Sequence, residues 1–198
     1  MKTQYLNIQK KNSIDKAANL LLLGKVIAIP TETVYGLGIC HNSPKGVEKL
    51  CAVKKRDPSK SIAICLDSYE NVKKIVTQIP DLFWVLAKRF FPGPLTLVFS
   101  SERGFIGIRV PEHDLCRELI KKTGPLYITS ANYSTCKDII HPLEVYKIFH
   151  GIIAGVLADS NKLKYNKCST VIKIESSNRI TLLREGPILW KTIHSFLY

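Results

Sequence analysis

No apolar run in this chain reaches the roughly 18–20 residues that a membrane-spanning helix needs. The longest candidate, Ala17 to Leu23, is broken by Asn19 and ends at Gly24-Lys25. Residues 1–12 are polar and lysine-rich, without the apolar centre of a secretory signal. The expected location is therefore the cytoplasm, with no membrane partner. Metal-ligand spacing is also missing. Cys40, Cys51, Cys65, Cys116, Cys136 and Cys168 fall at irregular intervals with no C-x-x-C, and the five histidines form no H-x-x-x-H. Free thiols in a reducing compartment account for these cysteines, and no metal site built by the protein is expected. There is no G-x-x-x-x-G-K-[ST] phosphate loop, no G-x-S-x-G elbow and no pair of carboxylates in a motif context. Gly36-Leu37-Gly38 lacks the third glycine of a dinucleotide fingerprint. Internal repeats, low-complexity stretches and linkers are absent as well.

What remains fits a single domain. The chain has 198 residues, 45% of them hydrophobic, enough for a sizeable core. Its net charge of +13, from 29 basic and 16 acidic residues, favours polyanionic partners such as nucleotides or RNA. Many of the lysines also fit the polar faces of solvated helices.

Strand-like and helix-like segments alternate. Ser13 can cap a helix with Ile14, Ala17, Ala18, Leu21 and Leu22 on one face, ended by Gly24. Further helices are expected after Ser43-Pro44, after Ser68, and over 81–91, 112–122, 142–149 and 187–198. Strands are expected over 26–30, 95–100, 105–110, 126–129, 152–157, 170–174 and 180–183, with 61–66 another short apolar run and 161–167 the most loop-like segment. About seven strands with helices between most of them predict an α/β class with a mixed sheet.

Five loops hold residues that a core does not need. Pro30 to Gly38 offers the hydroxyls of Thr31, Thr33 and Tyr35, or is an ordinary strand-to-helix loop. Lys54, Arg56 and Lys60 cluster at a helix end; they form a phosphate clamp or simply complement the helix dipole. Pro92-Gly93-Pro94 makes a rigid turn that sets Thr96 at a strand start. Arg109, between Ile108 and Val110, needs an anion or an internal salt bridge. Thr129-Ser130-Ala131-Asn132 supplies donors and acceptors together, or caps a helix. Ser169-Thr170 and Leu183-Arg184-Glu185-Gly186 repeat the theme. His41 and His113 read as structural or surface histidines. This inventory suits electrostatic catalysis on anions better than acid–base hydrolysis.

At these residues the sequence resembles the YrdC/TsaC family. The matching stretches are Pro30 to Gly38, Lys54-x-Arg56-x-x-x-Lys60, Pro92 to Thr96, Arg109-x-Pro111, Ser130-Ala131-Asn132, Ser169-Thr170-Val171 and Leu183-Arg184-x-Gly186. They keep the family's order, and the ordered set is far more specific than any one of them. The resemblance implies a YrdC-like α/β fold, a twisted mixed sheet flanked by helices with a concave basic groove. It implies one domain over 1–198, with a core at about 14–188. It also implies an L-threonylcarbamoyladenylate synthase, a nucleotidyltransferase that joins L-threonine, bicarbonate and ATP and releases pyrophosphate. Partner proteins then carry the product to tRNA, next to the anticodon.

By the same resemblance Lys54 and Arg56 are catalytic. Lys54, Arg56, Lys60, Thr96, Ser130, Asn132 and Arg184 would bind ATP. Thr31, Thr33, Tyr35, Arg109, Thr129 and Ser169 would bind threonine and bicarbonate. ATP enters as a substrate, with Mg²⁺ on its phosphates. The chain departs from the family at Asp57, Ser61, Ser134-Thr135 and Glu185, which bears on loop rigidity. The main alternative is a tRNA or double-stranded RNA binding module without turnover. Two others are the carbamoyl-transfer domain of hydrogenase maturation and a structural subunit of a tRNA-modifying assembly.

Overall fold

The computed structural model describes residues 2–55, 57, 61–102, 104–133, 137–175 and 179–198. Arg56, Lys60, Cys136 and the Ser134-Thr135 departure lie outside the described residues. The elements run β1 (Gln4–Asn7), α1 (Ser13–Leu22), β2 (Ile27–Ile29), β3 (Gly36–Cys40), α2 (Gly46–Lys54) and β4 (Ala63–Cys65). A 3-10 helix (Tyr69–Lys74), α3 (Asp81–Phe90), β5 (Leu95–Ser101), β6 (Gly104–Arg109), α4 (Asp114–Thr123) and β7 (Leu126–Ser130) follow. The chain ends with α5 (Pro142–Phe149), β8 (Gly155–Ala158), β9 (Thr170–Ile174), β10 (Ile180–Arg184) and α6 (Trp190–Leu197).

The described strands form one ten-stranded sheet in the order β1-β8-β2-β3-β7-β4-β6-β5-β9-β10. It is mixed: β8 runs parallel to β1 and β2, while β7 runs antiparallel to β3 and β4. Two strands were not expected. β1 buries only Leu6 and carries no apolar alternation. β3 reads as a loop because of Gly36 and Gly38, yet both glycines lie in the sheet. A Cβ on Gly36 would come within 2.4 Å of Ile128 Cγ2, so the close approach of β7 excludes a side chain there. The long helix expected after Ser68 shortens to the 3-10 turn, though Val72 and Val76 still pack into the core. β-Branched Val72, Ile75, Val76 and Thr77 crowd a helical turn and account for the shortening. The helix expected at Ser43-Pro44 begins only at Gly46.

Helices cover the two halves of the sheet unequally, and this creates the site. The half from β1 to β7 is covered on both faces. Ala17, Ala18 and Leu21 of α1 pack with Cys116, Leu119 and Ile120 of α4 on one face. Leu50 and Cys51 of α2 pack with Val145 and Phe149 of α5 on the other. The half from β4 to β10 places Ile64, Leu97, Ile108 and Ile172 against Phe83, Leu86 and Ile193. Side chains alternate along a strand, so their neighbours face the opposite way. Register aligns Cys65 with Arg109, Val98 with Gly107 and Thr96 with Val171. These residues form the floor of an open groove. Among the described residues no helix is long and apolar enough to cross a membrane.

Candidate active site

The groove encloses about 330 Å³. Its floor is Ala63, Cys65, Thr96, Val98, Gly107 and Arg109, and its walls come from Thr31, Thr129, Ser130, Ser169 and Arg184. The described lining holds two arginines and no carboxylate.

The first wall is built where α2 ends against β7. Lys54 lies in the last turn of α2 and is only 2% exposed. Its Nζ donates to the Ser130 carbonyl (2.5 Å), Ser130 Oγ (3.1 Å), Asn132 Oδ1 (3.1 Å) and Thr129 Oγ1 (3.3 Å). An ammonium has three hydrogens, so four acceptors saturate it. The Ser130 hydroxyl donates in turn to Asn132 Oδ1 at 2.7 Å. Lys54, Thr129, Ser130 and Asn132 therefore converge. Lys54 itself is not part of the groove lining. It is sunk behind Ser130 and Asn132, and its charge acts through them.

A second cluster lies at the β6 end. Arg109 Nη2 donates to Glu32 Oε1 at 2.9 Å and to Thr33 Oγ1 at 2.7 Å. Thr31 Oγ1 lies 2.8 Å from Thr33 Oγ1 and donates to the Val34 carbonyl at 2.7 Å. Thr31 has one hydroxyl hydrogen, so the Thr33 hydroxyl must donate to Thr31. A single-direction chain thus runs from Arg109 through Thr33 and Thr31 to Val34. Burial, the largest single influence, opposes the Arg109 charge, but the charge and hydrogen bond of Glu32 together with Cys65 and Cys116 hold the guanidinium above its usual range. The internal salt bridge, one of the two readings offered from sequence, is present, and Arg109 also lines the groove.

The third cluster closes the far wall. Thr96 Oγ1 and Ser169 Oγ are 2.9 Å apart. Arg184 donates through Nε to the Ser169 carbonyl (3.0 Å) and through Nη2 to Ser169 Oγ (3.3 Å). The geometry thus groups Ser169 with Thr96 and Arg184 rather than with Arg109.

Tyr35 does not line the groove. It is fully buried, and its hydroxyl donates to the Asp159 carbonyl and accepts from the Asp159 N–H, both at 3.0 Å. Burial pushes its phenol pKa up. The tyrosine pins the hydroxyl loop to the end of β8. Tyr35→Phe leaves both Asp159 backbone groups unpaired and should cost about 1–3 kcal/mol of stability, read as a lower Tm in calorimetry.

His113, which sequence reading left as a structural or surface histidine, is half-buried beside this loop, 3.7 Å from Asp159 Oδ2. Burial lowers its pKa below 6.5, against the opposing pull of Asp159, Glu32 and Asp114. The unfolded chain therefore binds the proton more readily. This histidine's contribution to stability is complete above pH 6.5 and is lost as pH falls through its depressed folded value. The slope approaches at most about 1.4 kcal/mol per pH unit. His113→Gln should flatten that part of a Tm-against-pH curve.

The two thiols in the described lining of the groove, Cys65 and Cys168, are held in the protonated form. Burial pushes Cys65 up to about 12, and burial with an Asp138 hydrogen bond pushes Cys168 up to about 11. Cys40, Cys51, Cys65, Cys116 and Cys168 are all free.

Sequence reasoning missed Glu32 and Asp159, whose roles need the fold. It also missed the floor residues Val98, Gly107 and Val171; alternation along β5, β6 and β9 out of phase with the core was their signal.

The chain belongs to the Sua5/YciO/YrdC family, whose model, described as "Telomere recombination", matches residues 19–186. A relative from Methanocaldococcus jannaschii is 32% identical over 190 residues, 91% of this chain and 88% of its own length. The Pyrococcus abyssi protein named threonylcarbamoyl-AMP synthase is 32% identical over 181 residues, which is 86% of this chain and 53% of that protein. The crystal structure of P. abyssi Sua5 complexed with L-threonine superposes with a TM-score of 0.90 at 28% identity. It covers 100% of this chain, which spans 61% of that one. E. coli YciO shares the fold, with a TM-score of 0.80 at 19% identity.

Proposed function

We propose that this chain synthesises L-threonylcarbamoyl-adenylate from L-threonine, bicarbonate and ATP. The product would supply threonylcarbamoyladenosine modification of tRNA next to the anticodon. The observation that carries this reading is the convergence of three hydrogen-bonded clusters on one groove with arginines and no carboxylate in its described lining. The P. abyssi protein, crystallised with L-threonine, superposes over the whole chain. In this proposal one YrdC-like domain, with a core at about 14–188, works in the cytoplasm and passes its product to tRNA-modification partner proteins, with tRNA itself as a further contact.

Thr31, Thr33, Thr129 and Arg109 would hold threonine and bicarbonate. Lys54, Ser130, Asn132, Thr96, Ser169 and Arg184 would hold ATP, with Arg56 and Lys60 completing a basic groove. Threonine and bicarbonate first give N-carboxy-threonine and water. A carbamate oxygen then bonds to the α-phosphorus of ATP, the bond to the bridging β-phosphate oxygen breaks, and pyrophosphate leaves. Bringing two anions to about 4 Å costs ~1 kcal/mol in water and ~4 kcal/mol at an effective dielectric near 20. Arg109 steadies the carboxylate, while Arg184 and the Lys54-charged amide and hydroxyl meet the phosphates. No group of three or more His, Cys, Asp or Glu among the described residues could hold a metal. Mg²⁺ would therefore be held mainly by the phosphates, where it would neutralise their charge.

Pyrophosphate release tests the reading. It should require threonine and bicarbonate together, and fall to background when either is omitted. Release that ignores both omissions overturns the reading, and salt-sensitive RNA binding with no release selects the RNA-binding alternative instead.

A further inference from the structure

Glu32 is 2% exposed and lies behind the groove rather than in its lining, so the chemistry above gives it no task. Its surroundings are specific. Its carbonyl accepts from the Tyr165 N–H at 3.0 Å, which fixes the backbone. Its Oε1 meets Arg109 Nη2 at 2.9 Å, and the other hydrogen of that nitrogen goes to Thr33. Arg109 Nε is buried without a protein partner, as is Glu32 Oε2. The guanidinium is held by one edge, so Nη1 is the nitrogen left to meet a ligand in the groove. Arg109 keeps only 11% of its side chain exposed, so its charge is presented through that narrow window.

A bare buried arginine attracts any anion, polyphosphate included. One backed by a buried carboxylate forms a nearly neutral pair that still offers directed N–H donors. The two ends of the groove then differ: Arg184 bonds to the neutral Ser169, whereas Arg109 is paired with the Glu32 carboxylate. We propose that Glu32 is a specificity-determining residue. It orients Arg109 and offsets its charge, so that this end of the groove takes a zwitterionic amino acid and rejects phosphate. The inference rests on the functional reading above and assigns the discrimination between the two substrates to one side chain.

The test is calorimetric titration of threonine into the intact protein, in chloride and in inorganic phosphate at equal ionic strength. The wild type should bind threonine alike in both. Glu32→Gln keeps an acceptor for Arg109 but removes the charge. It should bind threonine about tenfold more weakly in phosphate than in chloride. Glu32→Asp keeps the charge, should stay indifferent to phosphate, and serves alone if Glu32→Gln does not fold. A purely structural role would lower Tm without making threonine binding phosphate-sensitive. Phosphate-indifferent binding by Glu32→Gln, or phosphate sensitivity in Glu32→Asp, overturns the inference while leaving threonine-dependent turnover of the wild type intact. A wild type that neither binds threonine nor needs it for pyrophosphate release overturns the functional reading, and this inference with it.

Discussion

Lys54→Ala should lower the rate of threonine-dependent pyrophosphate release by about 10²–10³-fold and also destabilise the fold. The catalytic reading of Lys54 from sequence anticipates only the first effect. The structure adds the second, because the ammonium supplies the hydrogens for the Ser130 carbonyl, Ser130 Oγ and Asn132 Oδ1. Each buried acceptor left without a donor costs about 1–3 kcal/mol, and coupled losses are not additive. A net loss of about 3 kcal/mol would lower Tm by roughly 6–12 °C for a chain this size. Lys54→Met keeps most of the volume and should behave alike, since the missing charge is what matters. Single-turnover assays with calorimetry separate the two effects. A Lys54→Ala protein with wild-type rate and Tm would contradict the assignment.

Arg109→Ala should be the most destabilising change among the groove residues. It strands Glu32, which is 2% exposed, and removes the donor to Thr33. Breaking a buried ion pair from one side costs about 3–5 kcal/mol. Arg109→Lys should recover little, because an ammonium cannot reproduce the planar fork that reaches a carboxylate and a hydroxyl together. At temperatures where Arg109→Ala remains folded, KM for threonine should rise by about tenfold or more while KM for ATP moves little. Equal shifts in both KM values would mean that the pair shapes the whole groove rather than one end. Full thermal stability would mean that the pair contributes nothing.

The fold class was readable because apolar periodicity survives in most elements. The segments 142–149 and 170–174 were placed with their observed bounds, and most others within a few residues. β3 escaped because its glycines carry no strand signal; their reason is the proximity of Ile128, a long-range fact. β1 escaped because an edge strand that buries one leucine needs no pattern. Within the site, residues that touch the groove through polar or charged side chains were legible from motif context, as with Thr31, Ser130 and Arg184. Tyr35 was misplaced because a tyrosine in a hydroxyl-rich loop looks like a ligand contact until Asp159, 124 residues away, is seen to occupy its hydroxyl. Glu32 was passed over because a charged residue in a loop reads as solvated. Only tertiary structure sets it opposite Arg109, 77 residues further on.

The central claim is that one groove joins threonine, bicarbonate and ATP into a single adenylate. Mass spectrometry of the nucleotide product made with ¹³C-bicarbonate tests it most directly. The account predicts a threonine-containing adenylate heavier by the labelled carbon, absent when threonine is withheld. Hydrolysis of ATP to AMP and pyrophosphate, with no labelled adenylate formed, would contradict it.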